Sequence, residues 1–139
     1  MNNTYFGGVE VFKLIPQRPP IVQISSIDIT SELTATSTLL VKDDNYFVFE
    51  GVMYEPGLVE HIAQSAAAYA GYESYINNEE PHLGYIGEIK KCTFFGLPSI
   101  NDEITTNLEV VSKFENISLI KAQSFINGKL IVECQMKIF

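Results

Sequence analysis

Apolar and polar residues alternate from Ile21 to Thr30, Ile-Val-Gln-Ile-Ser-Ser-Ile-Asp-Ile-Thr, and again from Glu32 to Lys42. This period of two predicts two antiparallel strands. Upstream, Pro16-Gln17-Arg18-Pro19-Pro20 can neither continue a helix nor lie in a central strand, so it marks where the chain enters the fold. Val9 to Leu14, just before it, fits no single period. Asp43 to Glu55 mixes Asp-Asp-Asn, aromatic residues and Gly51 without any period, which predicts a loop with one short turn. Pro56 suits a first helical position. From Gly57 to about Asn77 only Gly71 interrupts, predicting a helix of roughly 20 residues and about 30 Å. Asn77-Asn78-Glu79-Glu80-Pro81 reads as a solvated turn. Alternation then returns over Leu83 to Phe95, Glu103 to Phe114, Ile117 to Phe125 and Lys129 to Phe139. Leu97 to Asp102 is a loop, and Asn127-Gly128 a two-residue hairpin turn requiring positive φ. Two strands, one long helix and four strands make an α+β pattern.

The helix carries the chemistry. At 100° per residue, Leu58, Val59, Ile62, Ala63, Ala66, Tyr69 and Ala70 share one broad arc, the expected core face. Through Tyr72 there is no Lys, Arg or Asp, and the polar members are Glu60, His61, Gln64 and Ser65, so the helix is expected to be buried nearly all round. Glu60, Gln64, Ala67 and Gly71 fall within roughly 60° of one another, a stripe polar at one end and small-sided beyond, which could border a narrow tunnel. A carboxylate on such a helix is costly to bury unless hydrogen-bonded or neutral, and that is the setting in which carboxyl groups exchange protons with substrates. The alternative is that Glu60 caps the first turn. His61 points about 100° away from Glu60. It is expected to be a structural histidine, and His82, in the polar turn, an exposed one.

Composition narrows the partners. A chain of 139 residues, 46% hydrophobic and 19% charged, is sized to bury one core, and a single domain over residues 1–139 is expected. Seventeen acidic against nine basic residues, net −8, argue against nucleic acid. The N-terminus has no basic region followed by an apolar run, and Ile62 to Tyr72 is too short and Ala-rich to span a bilayer, so a soluble, cytoplasmic protein with no membrane contact is expected. Cys92 and Cys134, far apart and without CxxC spacing, read as small buried thiols, and no metal site is implied.

Four stretches resemble one family. They are Ile15-Pro16-Gln17-Arg18-Pro19-Pro20-Ile21-Val22, then Pro56-Gly57 through Glu60-His61-Ile62-Ala63-Gln64-Ser65-Ala66-Ala67-Ala68, then Gly84-Tyr85-Ile86-Gly87 with Phe94 and Leu97-Pro98 through Asp102, and finally Ile131 to Met136. In this order they resemble the 3-hydroxyacyl-acyl carrier protein dehydratases, nearest to the divergent dehydratase-like proteins of aryl polyene and related pigment pathways. The resemblance implies a hotdog fold, one long helix wrapped by an antiparallel sheet, with no cofactor. It implies an acyl carrier protein or coenzyme A thioester as the substrate's carrier, and a dimer with a like or an unlike hotdog subunit.

By the same resemblance Glu60 is the acid/base group, Gln64 holds it or the substrate, and His61 is a weaker catalytic candidate. Gly57, Leu58, Ala67, Gly71 and Gly87 are the substrate-binding candidates, with backbone N–H groups near Gly57 or Gly87 meeting the thioester oxygen. Arg18, Lys90 and Lys91 are the cations expected to meet an acidic carrier. Two departures stand out: the family's Gly-His-Phe-Pro histidine is missing from Phe47 to Tyr54, and Gln17 replaces the histidine of the N-terminal motif. Three activities follow: a dehydratase with an unusual site, a non-catalytic subunit completing an active partner, and an acyl thioesterase.

Overall fold

The computed structural model describes residues 3–79 and 86–139. In chain order it contains β1 (Tyr5–Gly7), a short 3-10 helix (Gly8–Lys13), β2 (Ser26–Ile29), β3 (Thr34–Leu40), β4 (Val48–Phe49), β5 (Val52–Met53), helix α1 (Glu55–Ile76), β6 (Ile86–Phe94), β7 (Glu103–Phe114), β8 (Ile117–Ile126) and β9 (Lys129–Ile138). Seven strands form one antiparallel sheet in the order β1-β2-β3-β7-β8-β9-β6, and β4 and β5 form a separate hairpin. The helix packs on β2, β3 and β7. This is the α+β hotdog arrangement that the resemblance implied.

Alternation decides which side chains face the helix. On β7, Ile104, Thr106, Leu108 and Val110 point inward, and Ile120, Ala122 and Ser124 continue the layer on β8. From α1 the matching residues are Leu58, Ile62 and Ala66, all fully buried. One row of the inner face is polar. Ser37 lies opposite Thr106, and Thr106 opposite Ser124, so three hydroxyls cross β3, β7 and β8 side by side.

Three expectations are corrected. The first strand begins at Ser26, because the chain from Ile21 to Gln23 bonds to helix side chains instead of a neighbouring strand. Gln23 and Ile24, though adjacent, are both buried, and the surface residues 21–23 bond to is α1. On the helix, Ala70 of the expected core arc is exposed, whereas the polar His61, Gln64, Ser65 and Ser74 are buried. The stretch before the helix is a formed hairpin, turned by Glu50 and Gly51 at φ 51° and 82°, and it docks through Met53 N–H to Pro98 O (2.9 Å) and Ile100 N–H to Gly51 O (3.0 Å). Downstream, the expected turn at Asn127-Gly128 has the positive φ angles it needs, 49° and 79°. The start of the strand expected from Leu83, together with Gly84, Tyr85 and His82, lies outside the described residues.

Gly71 sets how closely the N-terminal segment approaches the helix. A Cβ built there would lie 1.9 Å from the Leu14 carbonyl oxygen and 2.9 Å from its carbon. In an exposed helix Gly→Ala stabilises by about 1 kcal/mol. Here the obstacle is backbone, so Gly71→Ala is expected to destabilise by about 2 kcal/mol or more. Urea unfolding of the variant measures the sign, and a stabilised protein would contradict this packing.

Candidate active site

Gln64 is fully buried, and its carboxamide is oriented without ambiguity. Its Oε1 accepts the backbone N–H of Gln23 at 2.6 Å, so Nε2 must face the other way. There it donates to the Ile21 carbonyl at 2.9 Å and to Glu60 Oε2 at 2.8 Å. Glu60 stands four residues earlier on the same helical face. Its carboxylate is half-buried rather than enclosed, and Oε1 has no hydrogen-bond partner among the described residues. The capping alternative is excluded by position. The helix starts at Glu55, the acid of the first turn, and Glu60 lies beyond the orphan N–H groups a cap would serve.

His61 faces the sheet. Nδ1 is 2.7 Å from the Gln23 carbonyl and Nε2 is 2.8 Å from Thr106 Oγ1. A carbonyl oxygen can only accept, so Nδ1 carries the proton. Burial of the ring holds its pKa down to about 4, against the favourable carbonyl contact, so the ring is neutral and Nε2 accepts from Thr106. Ser124 Oγ, 2.6 Å from Thr106 Oγ1, then donates to Thr106, giving a directed chain from Ser124 through Thr106 and His61 to Gln23. Ser65 makes a second buried link, donating to the His61 carbonyl at 2.8 Å and accepting from Ser37 at 2.7 Å. His61 is therefore the structural histidine expected from its angle; both nitrogens are engaged and the residue is shut off from solvent.

The other candidates divide. Leu58 is core, and Ala67 is half-buried against it. The Gly57 N–H already donates to Tyr54 O at 2.9 Å, and its missing side chain makes room for Met53 and Phe47, so its N–H is not a free oxyanion donor. At Gly71 the expected tunnel space is filled by Leu14. Gly87 lies where the β6–β9 register shifts, between Ile86 and Glu88, a local irregularity of the kind that re-aims backbone groups. Arg18 is exposed, but its guanidinium is engaged by its own segment. It donates to the carbonyls of Ile15 (2.7 Å), Gln17 (2.8 Å) and Phe12 (3.3 Å) and stacks 4.7 Å over the Phe12 ring, which makes it a clip for the N-terminal segment and not a free carrier contact. Lys90 approaches Glu88 at 3.8 Å, and Lys91 is exposed with no ion pair among the described residues.

Sequence reasoning missed Gln23 and Asn45. Asn45 Oδ1 accepts the Phe47 N–H at 2.8 Å, so its Nδ2 donates to Gln23 Oε1 at 2.8 Å, tying the pre-helix loop to the segment clamped on α1. The signal available was an amide in a β-like run that its neighbours would bury.

A protein-family model for ApeP-like proteins, described as ApeP dehydratase, matches residues 9–139. The 3-hydroxyacyl-[acyl-carrier-protein] dehydratase FabZ of Lactococcus lactis is 28% identical over 133 residues, 91% of this chain and 85% of that protein. Among solved structures, the dehydratase heterocomplex ApeI:P from Xenorhabdus doucetiae superposes with a TM-score of 0.84 at 14% identity, covering 93% of this chain and 89% of that one. A hypothetical thioesterase with coenzyme A from Streptococcus pneumoniae superposes with a TM-score of 0.65 at 12% identity, covering 81% and 82%. At these identities the two structures share the fold.

The buried ring makes stability depend on pH. His61 has a folded pKa below its ordinary value of 6.5, so between about 4 and 6.5 the unfolded chain binds a proton that the folded chain does not. This contribution is fully present above pH 6.5 and is lost as pH falls toward 4, reaching on the order of 3 kcal/mol. An NMR titration of the His61 ring should show the neutral Nδ1–H tautomer still in place at about pH 5, and protonation near the ordinary histidine value would contradict the network.

Proposed function

Because the chain belongs to the ApeP-like dehydratase family, we propose that it serves the dehydration of 3-hydroxyacyl thioesters in fatty-acid or polyene biosynthesis, with Glu60 as its proton-transfer group and the second group drawn from a hotdog partner. The reaction removes a proton from C2, protonates the departing C3 hydroxyl, and relieves charge on the thioester oxygen. Glu60 is suited to one proton transfer. Gln64 holds one carboxylate oxygen, leaving the other free, and the clamp on Gln64 fixes where that oxygen stands.

The observation that carries this reading is the contrast between the two neighbours on α1. Glu60 has a free oxygen at a half-open position, whereas both nitrogens of His61 are used internally. No other histidine lies among the described residues, and the segment before the helix has none. The described residues thus bring no second acid/base group to Glu60, which supports one arriving from another chain over Glu60 making both proton transfers. Among the described residues β6 ends the sheet, and its free edge could receive a further strand from such a partner. The ApeI:P assembly is a heterocomplex by its own description, which supports an unlike partner. Backbone N–H groups at the β6 irregularity beside Gly87 are the remaining candidates for the thioester oxygen, and Lys91 is the remaining cation for an acidic acyl carrier protein.

Glu60→Gln keeps shape and hydrogen bonding but removes the ionisable group. Turnover of a hydroxyacyl thioester by the assembled complex should fall by at least ~10² with an unchanged melting temperature. Full activity in this variant would refute the assignment. Turnover of saturated acyl thioesters instead would favour a thioesterase.

A further inference from the structure

Cys92 and Cys134 are separated by most of the C-terminal sheet in sequence, yet they meet on neighbouring strands. The β6–β9 register pairs Lys90 with Gln135 and Thr93 with Glu133, so Lys91 and Cys92 together face the single residue Cys134 across a bulge. Lys91 takes φ 50° to make it. Residues facing each other across antiparallel strands have Cα atoms about 4.5–5.5 Å apart, inside the range a disulfide spans. Cys134 lies on the inner face opposite Ala122 and is buried, while Cys92 is half-buried on the edge strand. Each thiol is close enough to perturb the ionisation of the other. No part of the proposed dehydration uses them.

We propose that Cys92 and Cys134 form a modification site that closes to an intramolecular disulfide when the protein meets a hydroperoxide. Cys92 reacts first because it is the more accessible. Its thiolate attacks the peroxide, forming an S–O bond as the O–O bond breaks, and gives a sulfenic acid and hydroxide, which takes up the released proton to become water. Cys134 then attacks that sulfur, the S–S bond forms, and the sulfenic oxygen leaves as water with the Cys134 proton. Two thiols are oxidised by two electrons and one hydroperoxide is reduced. Burial pushes both thiols up, Cys134 to about 12, and the neighbouring Cys134 offsets part of the rise at Cys92.

The test treats the purified full-length protein, in its native oligomeric state, with hydrogen peroxide, followed by alkylation under denaturing conditions, intact mass measurement and peptide mapping. Both thiols should disappear together, a Cys92–Cys134 linked peptide should appear, and dithiothreitol should restore both. The oxidised protein should also unfold at higher urea than the reduced one, because the cross-link closes a long loop in the unfolded chain. In Cys134→Ser, Cys92 should instead advance to sulfinic acid. Wild-type protein that accumulates Cys92 sulfinic acid with Cys134 still alkylatable would overturn the proposal. So would wild-type protein whose two thiols both survive a peroxide dose that oxidises the same chain in urea.

Discussion

The fold and the candidate site both hang on the orientation of one side-chain amide. Gln64 can present an acceptor in only one direction and donors in the other, and the backbone N–H of Gln23 claims the acceptor. The same bonds that pull residues 21–23 off the sheet and onto the helix therefore aim the amide nitrogen at Glu60. A carboxylate held at one oxygen by a neutral donor, itself pinned at both ends, is fixed in position before any substrate arrives. Such preorganisation is what a proton-transfer group requires. Reversal of the amide would leave a buried N–H facing a buried N–H, so the arrangement has no low-energy alternative.

Behind that site the helix meets the sheet through hydroxyls and an imidazole. The row Ser37, Thr106 and Ser124 on the inner face matches His61 and Ser65 on the helix, and every donor in it has an acceptor. Networks of this kind contribute modestly to net stability when complete and cost heavily when broken, so they specify one rotation of the helix about its axis more than they strengthen the fold. That rotation turns Glu60 toward the half-open side while His61 stays inside. Two neighbouring residues with similar chemical promise thus have separate fates, and the difference is 100° of helical turn.

Much of this was legible in the amino-acid order. The strands from Glu103 onward, the Asn127-Gly128 turn and the single helix follow local periodicity and turn chemistry, where neighbours along the chain decide the outcome. The partnership of Gln23 with Gln64 was not legible, because alternation reports that a residue is buried without naming the surface that buries it. Gly71 illustrates the same limit. A small residue in line with Glu60 and Gln64 is compatible with a tunnel wall or with close packing, and only the path of Leu14 distinguishes the two. Arg18 was legible as a cation, but not as one whose guanidinium is taken up by three carbonyls of its own segment.

The account makes this chain the donor of a positioned carboxylate and the recipient of an acid/base partner. The most direct measurement mixes it with a hotdog dehydratase subunit that retains its histidine but has lost its own catalytic carboxylate, and follows water loss from a 3-hydroxyacyl thioester. Each component alone should be inactive, and the mixture should turn over only while Glu60 is present. A purified chain that dehydrates the substrate at full rate by itself, or a stable mixed complex indifferent to Glu60→Gln, would contradict the account.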